Sequence, residues 1–117
     1  MSGLVSYHAG LSAEDQVART YRGRGFPVIA HRWRGQGGEI DLIVRDGETF
    51  VFIEVKKSRS HARAAERLSA RQIRRLYDAA GEFLASCPAG LNTLARFDVA
   101  LIDGVGRVEI IENALCA

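Results

Sequence analysis

The sequence predicts an α/β domain, a central mixed β-sheet flanked by two helices in the order αβββαββ. Three observations carry that expectation. Short runs of β-branched and aromatic residues alternate with turn residues through the middle and the end of the chain. A long amphipathic pattern, Leu68, Ile73, Leu76, Tyr77, Ala80, Phe83 and Leu84, separates the third run from the fourth. The 117 residues are 47% hydrophobic and 26% charged, the balance of one soluble globular domain with no room for a second.

Each element has a local reason. Residues 1–11 are expected to form a flexible N-terminus, and 12–117 the single domain. Ser12 can cap a first helix over about 12–24, with Asp15 as a weaker capping-box partner and Val17, Ala18 and Tyr21 as its apolar stripe. Gly23 and Gly25 end it. Phe26 to Trp33 reads as a strand, with Pro27 at its start, where a strand tolerates it. Arg34-Gly35-Gln36-Gly37-Gly38 is a flexible loop. Glu39 to Val44 and Thr49 to Lys56 form a hairpin around Asp46-Gly47. A helix runs from about Ala64 to Ala85 and stops at Cys87-Pro88-Ala89-Gly90. Arg96 to Ile102 and Arg107 to Glu112 are the last strands, joined by a turn at Asp103-Gly104-Val105-Gly106.

Several classes fall away on composition. No apolar run approaches the roughly 18 residues that cross a bilayer, and Met1 to Gly10 lacks the pattern of a secretory signal. Cys87 and Cys116 make neither a disulfide framework nor a metal-ligand motif. Collagen, coiled coil, membrane protein and disulfide-stapled mini-protein are excluded. The expected compartment is the cytoplasm.

The net charge of +2 hides an uneven distribution. From Arg19 to Arg34 there are five arginines and no acid; from Lys56 to Arg75 there are eight basic residues and one acid, Glu66. Two basic blocks around an acidic cluster suggest a polyanionic partner, with nucleic acid first. Arg67, Arg71, Arg74 and Arg75 lie at helical spacing on a largely polar face, and with Arg63 they are the best phosphate-contact candidates. Lys57, Arg59 and Arg34 extend the set.

The chemistry concentrates in Gly38-Glu39-Ile40-Asp41-Leu42-Ile43 and Val51-Phe52-Ile53-Glu54-Val55-Lys56. Side chains alternate along a strand, so Glu39 and Asp41 share a face, as do Glu54 and Lys56. An Asp46-Gly47 turn sets Glu39 opposite Glu54 and Asp41 opposite Phe52. All four polar groups then point the same way, with Asp41 a diagonal neighbour of Glu54 at about 7–8 Å. Crowded, half-covered carboxylates either take up a proton or hold a cation. A hard divalent ion such as Mg²⁺ removes the conflict and can orient a phosphodiester. Lys56 would stand beside that ion and could stabilise developing charge. The alternative is a solvated hairpin end with a Glu54–Lys56 surface ion pair.

Gly-Glu-Ile-Asp-Leu-Ile, a short turn and Val-Phe-Ile-Glu-Val-Lys resemble the YraN family of small bacterial proteins. That uncharacterised family is regarded as endonuclease-like, of the PD-(D/E)XK type. The resemblance runs from about Ser12 to Asn113 and includes Glu14, Ala18, Trp33-Arg34 and Arg96-Phe97-Asp98-Val99. It implies a restriction-endonuclease-like core and a Mg²⁺- or Mn²⁺-dependent nuclease. It also implies roles: Asp41 and Glu54 as metal ligands, and Lys56 as the motif lysine. Glu14 resembles an acid that some members add from the first helix; otherwise it is a carboxylate favouring a helix N-terminus. Glu39 is either a third ligand or a group supporting the ligands. Two departures from the family pattern are Lys57-Ser58-Arg59 after the motif lysine and Gln72 where a lysine is usual.

Other residues have plainer expectations. Trp33 either stacks on a base or packs in the core, while Tyr77 and Phe83 are core. His61 is a phosphate contact or a bystander, and His31 has no metal spacing. Arg96 and Asp98 form a structural ion pair rather than a catalytic one. The expected activity is phosphodiester hydrolysis in nucleic acid, with DNA as the first expectation. A non-catalytic nucleic-acid-binding module and a protein–protein adaptor are the alternatives. The small size of the domain suggests a homodimer or a protein partner.

Overall fold

The computed structural model describes residues 2–115, with side chains described from residue 13 onward. The chain forms α1 (Ser2–Gly23), β1 (Val28–Arg34), β2 (Glu39–Asp46), β3 (Thr49–Lys57), α2 (His61–Glu66), α3 (Ala70–Ala85), β4 (Ala95–Ile102) and β5 (Val108–Ile111). A single 3₁₀ turn, Gly90–Asn92, precedes β4. The strands make one mixed sheet in sequence order. β3 and β4 run parallel and the other three pairings are antiparallel. The parallel pair requires a crossover, which α2 and α3 supply. The mixed sheet flanked by helices is the fold class the sequence predicts.

Alternation along the strands sorts the apolar residues onto two faces. Leu42, Val44, Val51, Ile53, Ala100 and Ile102 are buried beneath Val17, Ala18 and Tyr21 of α1. On the other face Ile43 and Phe52 meet Leu76, Ala79, Ala80 and Leu84 of α3. Trp33 and Phe83 join this second core, edge-on at 5.6 Å between ring centres, while Tyr77 stands at its margin, edge-on to Phe97 at 4.7 Å with its hydroxyl donated to the Leu115 carbonyl at 2.8 Å. Core packing, rather than base stacking, therefore accounts for Trp33. Each fully buried Leu, Ile or Phe contributes about 1.5–3 kcal/mol.

A buried polar network crosses from face to edge. Asp98 is fully buried on β4. It accepts the Tyr21 hydroxyl at 2.8 Å, the Asn113 backbone N–H at 2.8 Å and the Arg96 Nε at 3.2 Å. Arg96 also reaches Asp46 in the hairpin at 2.8 Å. Burial first, then the Asp98 charge, raises the Tyr21 phenol far above its usual range. The Arg96–Asp98 pair is structural, as expected.

Four differences from the sequence expectations have physical reasons. α1 begins at Ser2 and runs through position 12, so the helix is not opened at Ser12. The Ser12 side chain and Cys116 lie outside the described residues. The single helix expected over 64–85 is two helices broken at Arg67 to Ser69. Ser60 caps α2 by accepting the Arg63 N–H at 3.2 Å. Ser69 caps α3 in a reciprocal box with Gln72. Arg67 thus sits at the C-terminal cap of α2, off the α3 face, and its guanidinium donates to the Lys57 carbonyl at 3.1 Å. Finally, the hairpin turn is Gly47-Glu48, with Asp46 paired to Thr49 and Ile43 to Phe52. Gly47 takes φ of 60°, as the first central residue of a II′ turn requires.

Candidate active site

The corrected register brings the carboxylates closer than the sequence suggested. Leu42 pairs with Ile53, so the next step sets Asp41 opposite Glu54, not diagonal to it. A slip of two residues keeps every side chain on its face. Asp41, Glu54 and Lys56 therefore still share a face, with Gln72 and Arg75 of α3 beside the two carboxylates. Asp41 Oδ2 accepts the backbone N–H of Val55 at 2.8 Å. Lys56 Nζ lies 3.1 Å from Glu54 Oε1, with only 17% and 15% of the two side chains exposed. This pair is largely shielded from solvent rather than a solvated surface pair, and its glutamate lines a cleft. The cleft, about 290 Å³, is lined by Glu39, Asp41, Glu54, Gln72 and Arg75.

The electrostatics record the crowding. Burial, then the Glu54 charge, pushes the Asp41 carboxyl up to about 7, against the opposing Val55 N–H. Burial raises Glu54 as well, with Lys56 opposing. Among the described residues Glu54 has a cation in ion-pair range, Lys56, and Asp41 has none.

Glu39 and Glu14 approach from the sides. Glu39 lines the cleft and pairs with Arg34 at 3.2 Å. Glu14 comes from α1, and its carboxylate meets Arg32 Nε at 3.1 Å. Its charge acts on both Asp41 and Glu54. Among the described residues no three His, Cys, Asp or Glu side chains converge as a ready-made metal site. The converging pair is Asp41 and Glu54. All-oxygen donors, half-buried and mutually repelling, fit a hard divalent cation that binds through two carboxylates and keeps several waters.

The glycine loop is held in place by α3. Glu82 accepts the backbone N–H groups of Gln36 at 2.8 Å and Gly37 at 2.7 Å, and these bonds lower its carboxyl from the usual range. A Cβ on Gly38 would lie 2.7 Å from the Arg75 carbonyl oxygen. The loop thereby lies flat on α3 and forms, with Arg34, Glu39 and Arg75, a second cleft of about 290 Å³ beside the first.

The basic residues divide. Arg71, Arg74 and Arg75 are exposed on α3, Arg59 and Arg63 are exposed beside and on α2, and none of the five has an ion pair among the described residues. Arg34 is tied to Glu39 and Arg67 to a backbone carbonyl. Lys57 is exposed at the end of β3. His61 is not free for phosphate: its Nδ1 lies 2.9 Å from Glu109, its Nε2 3.0 Å from the Arg107 carbonyl, and Asp103 is 4.0 Å away. Sequence reasoning assigned no role to Arg32 or Glu82. Nothing local marks Glu82 as the loop's anchor, since the glycine loop is more than forty residues away in sequence.

A mixed α/β sheet that presents an opposed Asp–Glu pair and a lysine on neighbouring strands has the architecture of a restriction-endonuclease-like core. Residues 13–102 match the family described as "Uncharacterised protein family UPF0102". The chain is 65% identical to a UPF0102 protein of Cereibacter sphaeroides, over all of both chains. It is 57% identical to one of Ruegeria pomeroyi, over 96% of this chain and 91% of that one. A UPF0102 protein of Dinoroseobacter shibae is 49% identical, over 95% of this chain and 83% of that one. The chain belongs to the UPF0102 family. Among the described residues, no helix is long and apolar enough to cross a membrane.

Proposed function

We propose that the protein is a Mg²⁺- or Mn²⁺-dependent nuclease that hydrolyses phosphodiester bonds in nucleic acid, with DNA as the leading substrate. The opposed Asp41–Glu54 pair beside Lys56, in a cleft that also carries Arg75, is the observation that supports this reading. Asp41 and Glu54 would hold the ion. A divalent cation there supplies Lewis acidity toward a phosphate oxygen and an acidified water. Val55 orients the Asp41 carboxylate through its backbone N–H. Lys56, kept beside Glu54, positions the attacking water or stabilises charge on the phosphoryl oxygens. Arg71, Arg74 and Arg75 receive backbone phosphates, and Arg59, Arg63 and Lys57 extend that track. Glu39 and Glu14 are the candidates for a further ligand. The small domain grips a duplex with the help of a second copy or a protein partner, in the cytoplasm.

A second reading is a nucleic-acid-binding module without turnover. It is favoured by one observation: among the described residues only two carboxylates converge. Calorimetric titration of the wild type and Asp41→Asn with Mg²⁺ and Mn²⁺, repeated with an oligonucleotide present, separates the two. The nuclease reading expects metal binding that the variant loses, and cleavage of some substrate in a broad screen. Salt-dependent nucleic-acid binding with no metal response in either protein would move the assignment to the binding module. No binding to any nucleic acid would leave a protein–protein adaptor.

A further inference from the structure

Arg32 is the residue whose backbone the fold treats most unusually. It has φ of 47°, in the left-handed region that a long-chain residue rarely occupies. It lies in the middle of an edge strand, between the paired residues His31–Leu42 and Trp33–Ile40, which sets it opposite Asp41. Strict alternation would place Ala30 and Trp33 on opposite faces of the sheet, and Ile40 and Ile43 likewise. Instead all four join the core beneath α3. The left-handed residue and its partner Asp41 are therefore where both strands break step. Such a conformation costs on the order of 1–3 kcal/mol and persists when its surroundings over-determine it.

The Arg32 guanidinium contacts one acid of the site and lies in the field of two others. Its Nε bonds Glu14 at 3.1 Å, and the charges of Glu39 and Asp41 also act on it. It is 63% exposed on its side chain while Glu14 is 22% exposed, so the carboxylate is fixed from the solvent side. A cleft of about 270 Å³, lined by Glu14, Asp15, His31 and Arg32, leaves room for the guanidinium to swing away.

We propose that Arg32 is a positioning residue that holds Glu14 off the Asp41–Glu54 pair and surrenders it to a divalent cation. Arg32 is the counter-charge that the fold sets against Glu14. Once released, Glu14 would serve as a third protein ligand to an ion held by Asp41 and Glu54. The arrangement sets the metal affinity below what three free carboxylates would give. This inference rests on the metal reading above.

Arg32→Gly is the clean variant, because glycine accepts the left-handed backbone without strain. Calorimetric titration with Mn²⁺ is compared for the wild type, Asp41→Asn, Arg32→Gly, Glu14→Gln and the Arg32→Gly/Glu14→Gln double variant, with melting temperatures measured without metal. Arg32→Gly is expected to bind Mn²⁺ roughly threefold more tightly, the scale of one exposed ion pair no longer competing for Glu14. The double variant is expected to lose that gain. A wild type that binds through Asp41, with Arg32→Gly no tighter, overturns the latch and leaves the metal site standing. A gain that survives Glu14→Gln also overturns it, since Glu14 is then not the group released. Absence of Mn²⁺ binding in every protein overturns both the latch and the metal reading. A purely structural Arg32 would shift the metal-free melting temperature with no change in Mn²⁺ affinity.

Discussion

Val55 donates its backbone N–H to the Asp41 carboxylate, 2.8 Å away, just past the last paired residues of the hairpin, Leu42 and Ile53. A side chain thus takes a place in the ladder at the point where the strands carry Glu54 and Lys56. The bond orients Asp41 but does not relieve it, because burial and Glu54 together outweigh a single N–H.

The pH dependence of stability should show that imbalance. Asp41 has its carboxyl pushed up to about 7 in the fold, against about 3.9 in an unfolded chain. The folded protein therefore binds the extra proton between those values, and stability falls as pH rises from about 4 to about 7. Asp41→Asn keeps an acceptor for the Val55 N–H and carries no charge. Relative to wild type, it should gain melting temperature from pH 4 to about pH 7 and level off above, and Mg²⁺ should raise the wild type alone at pH 8. Thermal melts across that range check both; a variant that tracks the wild type at every pH would place the strain elsewhere.

Nucleic-acid affinity should depend on the three unpaired arginines of α3. Arg71→Ala, Arg74→Ala and Arg75→Ala should each weaken binding and lower the salt slope by about 0.9 for every phosphate contact removed. These positions are exposed, so stability should change by less than about 0.5 kcal/mol. Fluorescence anisotropy at several salt concentrations reads the slope. Unchanged affinity in the triple variant would remove this face from the interface.

The glycine loop should tolerate no side chain at Gly38. Gly38→Ala brings its Cβ to 2.7 Å from the Arg75 carbonyl oxygen, and backbone cannot yield cheaply there. A loss of about 1–3 kcal/mol is expected, read by chemical denaturation. Gly47→Ala meets open space but a left-handed backbone, so its cost should be conformational and smaller, about 1 kcal/mol.

Tyr21→Phe removes one of the donors to the buried Asp98 carboxylate. The acceptor is left short of a partner in an apolar setting, at a cost of about 1–3 kcal/mol. Because the Tyr21–Asp98 pair joins α1 to β4, the loss should appear as a lower denaturation midpoint with an unchanged slope.

The sequence disclosed the elements that depend on local rules. Alternation in Glu39 to Val44 and Thr49 to Lys56 placed the hairpin and the face shared by Asp41, Glu54 and Lys56. Where two local signals compete, local rules do not choose between them. Asp46-Gly47 and Gly47-Glu48 both suit a tight turn, and only the pairing of Asp46 with Thr49 decides between them. Apolar spacing ran across Leu68, hiding the break that the Ser69–Gln72 capping box makes. Contacts remote in sequence left no trace at all. Glu82 beneath the glycine loop and Glu14 against Arg32 are facts of tertiary packing. The left-handed Arg32 is likewise invisible, since arginine carries no preference for that conformation.

The closed hairpin also bears on the order of folding. Asp41 and Glu54 lie on neighbouring strands joined by a two-residue turn, so their loop closes within microseconds. The parallel β3–β4 pairing waits for the whole α2–α3 crossover to be arranged. The like charges are therefore forced together early, ahead of most of the core that compensates for them. Alkaline conditions should accordingly retard refolding more than they hasten unfolding, because the repulsion between the two carboxylates is already felt in the transition state.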